Sequence, residues 1–218
     1  MMAGLPMPFA VDLHTHTRFG SNCSYMEPSQ LVQRAKEVGL DAVCITEHNA
    51  PWEEDAVRAL NEESGFRLLA GMEVSTELGD VLVFGVRSGL LAGSRIEDLR
   101  RLVEEQGGLM IAAHPFRCYS QPGAVMDVEE AAARPVFRWV DAVEVFNGAS
   151  PWPEVEFGCA VLERMGLPGV GGSDAHSPLS VGRCYTRFER EVASVEELVA
   201  ELKAGRFRAV HSALSLVL

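Results

Sequence analysis

Short apolar runs alternate with amphipathic helical patterns along the whole chain, and this alternation limits the possible folds more than any other feature. It is typical of βα units that build a mostly parallel sheet. Strands are predicted at residues 9–13, 42–46, 66–74, 81–86, 109–113, 142–146, 169–172, 184–188 and 207–211. Helices are predicted at residues 28–38, 53–63, 94–106, 128–140, 154–165 and 194–204. The sequence therefore predicts an α/β protein with a closed or nearly closed barrel, whose ligands collect at the carboxyl ends of the strands.

Length and composition predict one domain spanning residues 1–218. A chain of 218 residues with 47% hydrophobic and 23% charged residues can bury one large core. Residues 1–8 lack the basic and apolar segments of a signal peptide, and no later segment resembles a membrane span. The five cysteines are scattered and form no Cys-x-x-Cys pair, so no disulfide framework is indicated. We expect Cys44 and Cys159 to be buried reduced thiols, whereas Cys23 and Cys118 stand near predicted metal ligands. We therefore expect a cytoplasmic protein without a membrane partner.

The charge balance restricts the class of substrate. The formal net charge is −12 and the pI is about 4.9, so the surface repels polyanions and anionic membranes. This disfavours a long nucleic acid as substrate and favours a small molecule. A small phosphorylated substrate would need local positive charge, and bound metal ions can supply it.

Five of the six histidines stand at or just after the predicted end of a strand. In a parallel barrel all strands end at one rim, so these side chains converge although they are far apart in sequence. Side chains two residues apart in a strand point to the same side, as for His14 and His16. Imidazoles and carboxylates together suit zinc, manganese or iron. The sequence thus predicts two or three divalent metal ions, with ligands from His14, His16, His48, Glu73, His114, Asp174 and His176.

Five short motifs carry these predicted ligands. They are Asp12-Leu13-His14-Thr15-His16-Thr17, Ile45-Thr46-Glu47-His48-Asn49, Gly71-Met72-Glu73, Ala113-His114-Pro115-Phe116 and Gly172-Ser173-Asp174-Ala175-His176. In this order they resemble the polymerase and histidinol phosphatase (PHP) superfamily, and the resemblance covers nearly the whole chain. It implies a distorted (β/α)7 barrel of the PHP type. It also implies a phosphoesterase centre of two or three metal ions at the C-terminal ends of the strands.

The resemblance assigns ligands to individual ions. It implies that His14, His16 and Asp174 surround a first ion. Glu73 would bridge this ion to a second one, which His114 also binds. No motif fixes the remaining ligand of the second ion, and two residues at the end of a predicted strand are candidates for lining that site. These candidates are Glu144 and Asn147.

A third ion is implied between His48 and His176. The family often adds an acid or a histidine to this site shortly after the His-x-His motif, and Asn22 occupies that position here. An amide is a weaker, uncharged ligand, so the occupancy of the third site stays open. Glu47 stands where the family usually has aspartate, and we expect it to orient a ligand through hydrogen bonds.

Arginines near the rim are the expected anion contacts. A planar guanidinium can bind phosphate through two hydrogen bonds. Arg18, Arg117 and Arg183 stand next to ligand motifs, and Arg117 is the preferred phosphate clamp. Together with Asn22 they form the predicted substrate-binding set.

The predicted reaction is hydrolysis of a small phosphomonoester or phosphodiester through a metal-bridging hydroxide. The metal ions and Arg117 neutralise the developing charge. A metal-bound proton assists the leaving alkoxide, or His176 or His48 donates one if the third ion is absent. One alternative is an amide or lactone hydrolase on the same metal cluster, although no lysine stands near the rim to bridge the ions. Another alternative is a non-catalytic metal-binding regulatory module. The oligomeric state is not predicted.

Overall fold

The computed structural model describes residues 8–87, 93, 95–117, 119 and 127–218, and these contain eleven strands and six α-helices. The strands are β1 (Phe9–Thr15), β2 (Ala42–Ile45), β3 (Arg67–Ala70), β4 (Met72–Thr76), β5 (Gly79–Phe84), β6 (Leu109–Ala112), β7 (Ala142–Asn147), β8 (Gly169–Gly172), β9 (Cys184–Phe188), β10 (Phe207–His211) and β11 (Leu216–Val217). The helices are α1 (Pro28–Glu37), α2 (Glu54–Ser64), α3 (Ile96–Glu105), α4 (Val128–Ala132), α5 (Trp152–Met165) and α6 (Val195–Lys203).

The strands form two mixed sheets. One sheet has the order β11-β10-β9-β1-β2-β3, and the other has the order β4-β5-β6-β7-β8. In the first sheet β1, β2 and β3 are parallel, whereas β9 and β10 pair antiparallel to their neighbours. In the second sheet β6, β7 and β8 are parallel, whereas β5 runs antiparallel to β4 and β6. The α/β class is confirmed.

The predicted closed (β/α)7 barrel is not confirmed. Within the described residues the β-pairing between the two sheets is limited to two isolated parallel bridges, Thr15 with Ala175 and His48 with Glu73. A parallel crossover needs a dozen or more residues, whereas a hairpin needs about two. Only Glu77 and Leu78 separate β4 from β5, so this connection must be a hairpin. Both bridges lie next to predicted metal ligands.

The strand predicted at residues 66–74 divides at Gly71. A Cβ atom on Gly71 would lie 2.4 Å from the ring of Phe84, so β5 packs here only because the residue is glycine. The segment before Gly71 pairs with β2, and the segment after it pairs with β5. Glu73 consequently lies on β4, where its backbone N–H donates to the carbonyl of Glu47 at 3.0 Å. This bond joins the two sheets beside the site.

Two predicted helices differ in extent from the observed ones. The helix predicted at residues 128–140 divides into α4 and a 3₁₀ turn, Pro135–Arg138. Pro135 lacks a backbone N–H and its ring clashes with the preceding turn of a continuous helix. The helix predicted from Ser94 begins at Ile96 as α3, and Ser94 itself lies outside the described residues.

Amphipathic helices cover the outer faces of the strands. In α1 the apolar residues Leu31, Val32 and Ala35 share one face and are buried. They pack in the same core cluster as Val43 and Ile45 of β2. Burying one such leucine or valine stabilises the fold by roughly 1.5–3 kcal/mol. This packing fixes β2 and hence the position of the segment that follows it.

None of the helices in the described part of the chain combines the length and the hydrophobicity needed to cross a bilayer.

Candidate metal centre

β1 supplies the first two histidines of the site. His14 lies on β1 and His16 follows it, and both side chains are fully buried. Pairing of β1 with β2 and β9 fixes the backbone on either side. The two Nε2 atoms lie 3.0 Å apart. Two imidazole nitrogens at this separation can bind one cation.

Glu73 and Asp174 direct carboxylate oxygens at the same point. Glu73 Oε2 lies 3.4 Å from His14 Nε2 and 3.3 Å from His16 Nε2. Asp174 Oδ1 lies 3.5 Å from His14 Nε2 and 3.4 Å from His16 Nε2. This donor set of two imidazoles and two carboxylates suits a divalent ion such as zinc, manganese or iron.

His114, which follows β6, completes the group. Its Nε2 lies 2.8 Å from Glu73 Oε1, so both oxygens of Glu73 face imidazoles. His114 and Asp174 have φ values of +30° and +52°. Such backbone strain in a non-glycine residue costs about 1–3 kcal/mol and persists only where the surroundings impose it. We call His14, His16, Glu73, His114 and Asp174 the buried cluster.

The buried cluster fits a metal ion better than a hydrogen-bond network. Glu73 Oε2 is buried and has no hydrogen-bond partner among the described residues. Yet His48 Nδ1 lies 3.0 Å from this oxygen and His16 Nε2 lies 3.3 Å from it. A buried polar atom without a partner costs about 1–3 kcal/mol, and more when it is charged. A cation between Glu73 Oε2 and His16 Nε2 would remove that cost.

Hydrogen bonds behind the imidazoles aim their Nε2 atoms at the buried cluster. His14 Nδ1 lies 2.9 Å from Glu144 Oε1, and a carboxylate only accepts, so the proton sits on Nδ1. His16 Nδ1 lies 3.1 Å from Ser21 Oγ. Ser21 donates its own proton to Glu47, which leaves its oxygen to accept from His16. Both histidines therefore offer Nε2 to a metal ion.

Glu144 lies behind the ligands. Besides contacting His14, it accepts hydrogen bonds from the backbone N–H of His114 at 2.8 Å and from Asn147 Nδ2 at 3.0 Å. Both of its oxygens are thus engaged with groups that orient ligands. Asn147 Nδ2 also lies 3.4 Å from Asp174 Oδ2. The geometry gives Glu144 and Asn147 orienting contacts with the cluster.

Glu47 organises the loop that follows β1. It is fully buried and accepts hydrogen bonds from the backbone N–H of Thr17 at 3.1 Å and from Trp52 Nε1 at 3.1 Å. It also accepts from Ser21, the partner of His16. A Cβ atom on Gly20 would lie 2.4 Å from Glu47 Cγ, so the loop can wrap this closely only with glycine there.

The carboxylates make the buried cluster strongly negative. Burial lowers the pKa of His14, but the charges of Glu144, Asp174 and Glu73 outweigh burial and raise that pKa well above its usual value. Burial raises the pKa of Asp174, but His14 and His16 outweigh it and hold that pKa far below its usual range. A metal ion bound to His14 Nε2 would compete with a proton for that nitrogen.

A second group of donors lies beside the buried cluster and reaches solvent. His48 follows β2 and His176 follows β8, and both rings stack on His16 with centroids 4.5 Å apart. Cys23 Sγ lies 3.3 Å from His48 Nε2 and 3.1 Å from His176 Nε2. Asn22, the expected ligand at this place, is exposed. We call Cys23, His48 and His176 the open site.

Asp80 is a candidate ligand that the sequence patterns did not indicate. Ligand atoms of Glu73, Asp80 and His114 lie within 4.8 Å of one another. Asp80 pairs with Ser75 across the β4–β5 hairpin and therefore projects from the same face as Glu73. The sequence feature that could have revealed Asp80 is the short segment Glu77-Leu78-Gly79 just after Glu73, which predicts a hairpin rather than a crossover. Asp80 is thus a further candidate for the unassigned ligand of a second ion.

Of the three arginines expected near the rim, Arg117 reaches the buried cluster. Its guanidinium donates to Asp174 Oδ2, while its side chain stays 42% exposed. Burial lowers the pKa of Arg117, but Asp174 outweighs it and raises that pKa. Arg18 pairs instead with Glu27, with Nε and Oε1 2.8 Å apart. Arg183 is exposed beyond β8.

Two family models match the sequence. The model described as the PHP domain matches residues 12–115, and the model described as PHP-associated matches residues 157–207. The uncharacterized protein MJ1587 of Methanocaldococcus jannaschii is 28% identical over 147 residues, which are 62% of this chain and 80% of that protein.

Solved structures share the fold. PsfC from Pseudomonas syringae superposes with a TM-score of 0.68 at 22% identity over 95% of this chain and 93% of its own. A two-domain protein of Bacteroides vulgatus, with a predicted PHP-like metal-dependent phosphoesterase, gives 0.70 at 23% identity over 93% of this chain and 64% of its own. The lesion-specific endonuclease PfuEndoQ of Pyrococcus furiosus superposes with a TM-score of 0.60 at 17% identity, over 91% of this chain and 56% of its own. From the two family models and the ordered ligand motifs that they cover, we conclude that the chain belongs to the PHP superfamily.

Proposed function

We propose that the protein is a metal-dependent phosphoesterase that hydrolyses a small phosphomonoester or phosphodiester. The observation that carries this proposal is the buried cluster itself. The Nε2 atoms of His14 and His16 lie 3.0 Å apart, and each lies within 3.5 Å of an oxygen of Glu73 and of an oxygen of Asp174. Arg117 adds a fixed positive charge on the solvent side of this group. Metal ligands beside an exposed guanidinium suit phosphate chemistry.

Divalent ions bound at the buried cluster would activate water at neutral pH and neutralise charge on the phosphoryl group. Arg117 orients that group. A guanidinium has five N–H donors, and Asp174 engages one nitrogen of Arg117, which leaves donors free for phosphate oxygens. Asp174 therefore has two tasks, because it faces both the imidazoles and the guanidinium. Losing Asp174 should affect metal binding and phosphate orientation together.

His48 and His176 stand on the open side of the cluster, where a leaving group would depart. The contact with Glu73, whose Oε2 lies 3.0 Å from His48 Nδ1, raises the pKa of His48 although burial lowers it. A protonated imidazole can donate to a departing alkoxide. It cannot do so while the same nitrogen binds a metal ion. A given nitrogen of His48 or of His176 can therefore donate a proton or bind a metal ion, but it cannot do both.

Exposed apolar side chains favour a substrate with an apolar or planar organic group. Phe19 and Tyr25, in the loop between β1 and α1, are 65% and 87% exposed. Leu179, which follows His176, is 76% exposed. Exposed apolar residues that follow ligand motifs in the sequence are candidates for a binding surface. The net charge of −12 favours a small molecule over a polymer, although one relative of this fold is an endonuclease.

The lysines oppose the amide or lactone alternative. A carboxylated lysine could bridge two metal ions, but the chain has only Lys36 and Lys203. Lys36 donates to the carbonyl of Ser64 at 2.6 Å, and Lys203 donates to the carbonyl of Gly107 at 2.8 Å. Both carbonyls precede strands and lie at the end of the sheets opposite the site. Glu73 is therefore the bridging group that we propose.

The proposal is tested by hydrolysis of an aryl phosphate and a bis-aryl phosphate with added manganese or zinc. We expect turnover in the wild type and a loss of more than about 100-fold in Asp174→Asn, because a ligand matters more than its hydrogen-bonded partners. Arg117→Met should mainly raise KM. Arg164→Met is the matched control, because Arg164 is an exposed arginine on α5 that pairs with Glu129.

The outcomes separate the candidate functions. Metal content without hydrolysis of any phosphate ester, including a short single-stranded oligonucleotide, would favour the regulatory module. Hydrolysis of amides or lactones but not of phosphate esters would favour the alternative enzyme. Hydrolysis that is equal in Asp174→Asn and the wild type would contradict the proposal.

A further inference from the structure

We propose that Cys23 is a thiolate ligand of a third metal ion, which it binds together with His48 and His176 in the open site. The inference rests on the proposed function to the extent that the adjoining buried cluster also binds metal ions. It differs from the expectation for Asn22, because it assigns the third site a sulfur ligand. It also predicts which kind of ion that site selects.

The distances fit a shared ion. Cys23 Sγ lies 3.3 Å from His48 Nε2 and 3.1 Å from His176 Nε2. In a tetrahedral zinc site, with Zn–S near 2.3 Å and Zn–N near 2.0–2.1 Å, sulfur and nitrogen ligands lie about 3.5 Å apart. Both sulfur–nitrogen distances in the open site are therefore within a few tenths of an ångström of the distance in such a site. Three protein ligands leave a fourth position open, as in catalytic zinc sites.

The three atoms that face each other in the open site are Cys23 Sγ and the Nε2 atoms of His48 and His176. They share too few protons to form hydrogen bonds with one another. His176 Nδ1 lies 2.9 Å from the carbonyl oxygen of Asp174, which can only accept, so the proton of His176 sits on Nδ1. His48 Nδ1 lies 3.0 Å from Glu73 Oε2, which favours a proton on that nitrogen. Both Nε2 lone pairs then face one sulfur, and a thiol has one proton. A cation satisfies all three atoms.

The loop that carries Cys23 is fixed to the ligands on both sides. Ser24 Oγ contacts the backbone carbonyls of His16 at 2.9 Å and of His176 at 3.2 Å. Ser21 contacts His16 and Glu47. Among the described cysteines, Cys44 and Cys184 are buried and Cys159 is half-buried, whereas Cys23 is exposed. The thiol is thus held between two imidazoles and is open to solvent.

A sulfur ligand changes the selectivity of the site. On binding, the Cys23 thiol loses its proton to solvent and the thiolate forms the bond to the ion. Thiolate and imidazole ligands favour zinc, cobalt or iron over manganese and magnesium, which prefer oxygen. The open site should therefore bind zinc even where manganese occupies the buried cluster.

Cobalt provides a readout that does not depend on activity. The full chain, freed of metal and titrated with Co²⁺, should bind three ions and develop a sulfur-to-cobalt charge-transfer band in the near ultraviolet. In Cys23→Ala the band should vanish and the stoichiometry should fall to two. In Cys23→Asp the third ion should return without the band. Cys159→Ser is the matched thiol control, and Asn22→Ala tests the alternative ligand.

The outcomes discriminate between this inference and the proposed function. A band that persists in Cys23→Ala, or three ions bound without any band in the wild type, would overturn the inference. Loss of the third ion in Asn22→Ala but not in Cys23→Ala would overturn it as well. Phosphatase activity in a protein without the band refutes the inference alone. The Cys23-dependent band in a protein without activity refutes the proposed function alone.

Discussion

The buried cluster and the open site are adjacent groups that both contain imidazoles, but they differ in how their ligands are held. In the buried cluster, His14 and His16 are fully buried, and Glu144 and Ser21 fix their second nitrogens. In the open site the side chains of His48 and His176 are 39% and 34% exposed. His16 touches both regions, because its ring stacks on both open-site histidines.

Because of this difference, we expect high metal affinity at the buried cluster and high accessibility to solvent at the open site. Ligands held by buried hydrogen bonds need little reorganisation to bind an ion, so they bind it tightly. Ligands at the surface lose more conformational entropy when they bind an ion, so they exchange that ion more readily. We therefore expect the buried cluster to hold its ions firmly and the open site, where we propose that substrate enters, to exchange its ion. Each variant below changes one region, the other, or the contact between them.

Glu73→Gln should have the largest effect, because Glu73 faces both regions. Its oxygens approach His114 at 2.8 Å and His48 at 3.0 Å. Glutamine keeps the shape but removes the charge, so we expect metal loss from both regions and activity lower by more than about 100-fold. Metal analysis and kcat/KM measure this. Glu201→Gln, on a buried carboxylate paired with Arg206, is the control. Full metal content in Glu73→Gln would show that Glu73 is no ligand.

Glu144→Gln should weaken the buried cluster and spare the open site. Glutamine has one oxygen in place of two, and three donors need it: His14 Nδ1, the backbone N–H of His114 and Asn147 Nδ2. Losing such a partner lowers metal affinity by about 10–100-fold. Competition titration with a chromophoric chelator reports the affinity of each ion. An equal loss of affinity at both regions would contradict the separation that we describe.

Ser21→Ala should have a smaller effect that reaches both regions. Ser21 Oγ contacts His16 Nδ1 at 3.1 Å and the backbone N–H of His48 at 3.3 Å. Glu47 keeps its bonds to Thr17 and Trp52, so the loop should hold its shape. We expect metal affinity to fall by about 10-fold, which is the smallest effect usually seen when an orienting contact is lost. Unchanged affinity in the same titration would mean that Ser21 does not hold the imidazole.

The pH dependence of stability should reverse when metal is removed. A histidine whose folded pKa lies above its unfolded value stabilises the fold below the unfolded pKa and loses that effect as pH rises. His14 is such a group, so the metal-free protein should lose stability as pH rises above about 6.5. Metal binding needs His14 without the extra proton, so metal should stabilise most at high pH. Thermal unfolding with and without chelator should show Tm differences of a few °C, at about 2–4 °C per kcal/mol. Parallel pH profiles would contradict this.

The sequence was most informative where side chains follow buried parallel strands. His14 and His16 end β1, His48 follows β2, and Asp174 follows β8. Apolar periodicity located these strands, and parallel strands end at one edge, so convergence followed from topology. The class of the fold could be predicted for the same reason.

The β4–β5 hairpin, the division of the strands into two sheets, and the positions of Asp80 and Cys23 could not be predicted in this way. The direction of β5 depends on the short connection Glu77-Leu78 and on the close approach at Gly71. Asp80 faces the site only because of that hairpin. Cys23 lies in a loop without periodicity, and its position depends on the long-range contacts of Ser24. Such contacts leave no local pattern in a sequence.

The central claim is that side chains from both sheets bind metal at the buried cluster. Anomalous diffraction from crystals grown with zinc tests it most directly. We predict that the strongest peak lies about 2.0–2.2 Å from His14 Nε2, His16 Nε2 and a carboxylate oxygen of Asp174. A map with no peak between these residues, from crystals of a protein that hydrolyses phosphate esters, would contradict the account.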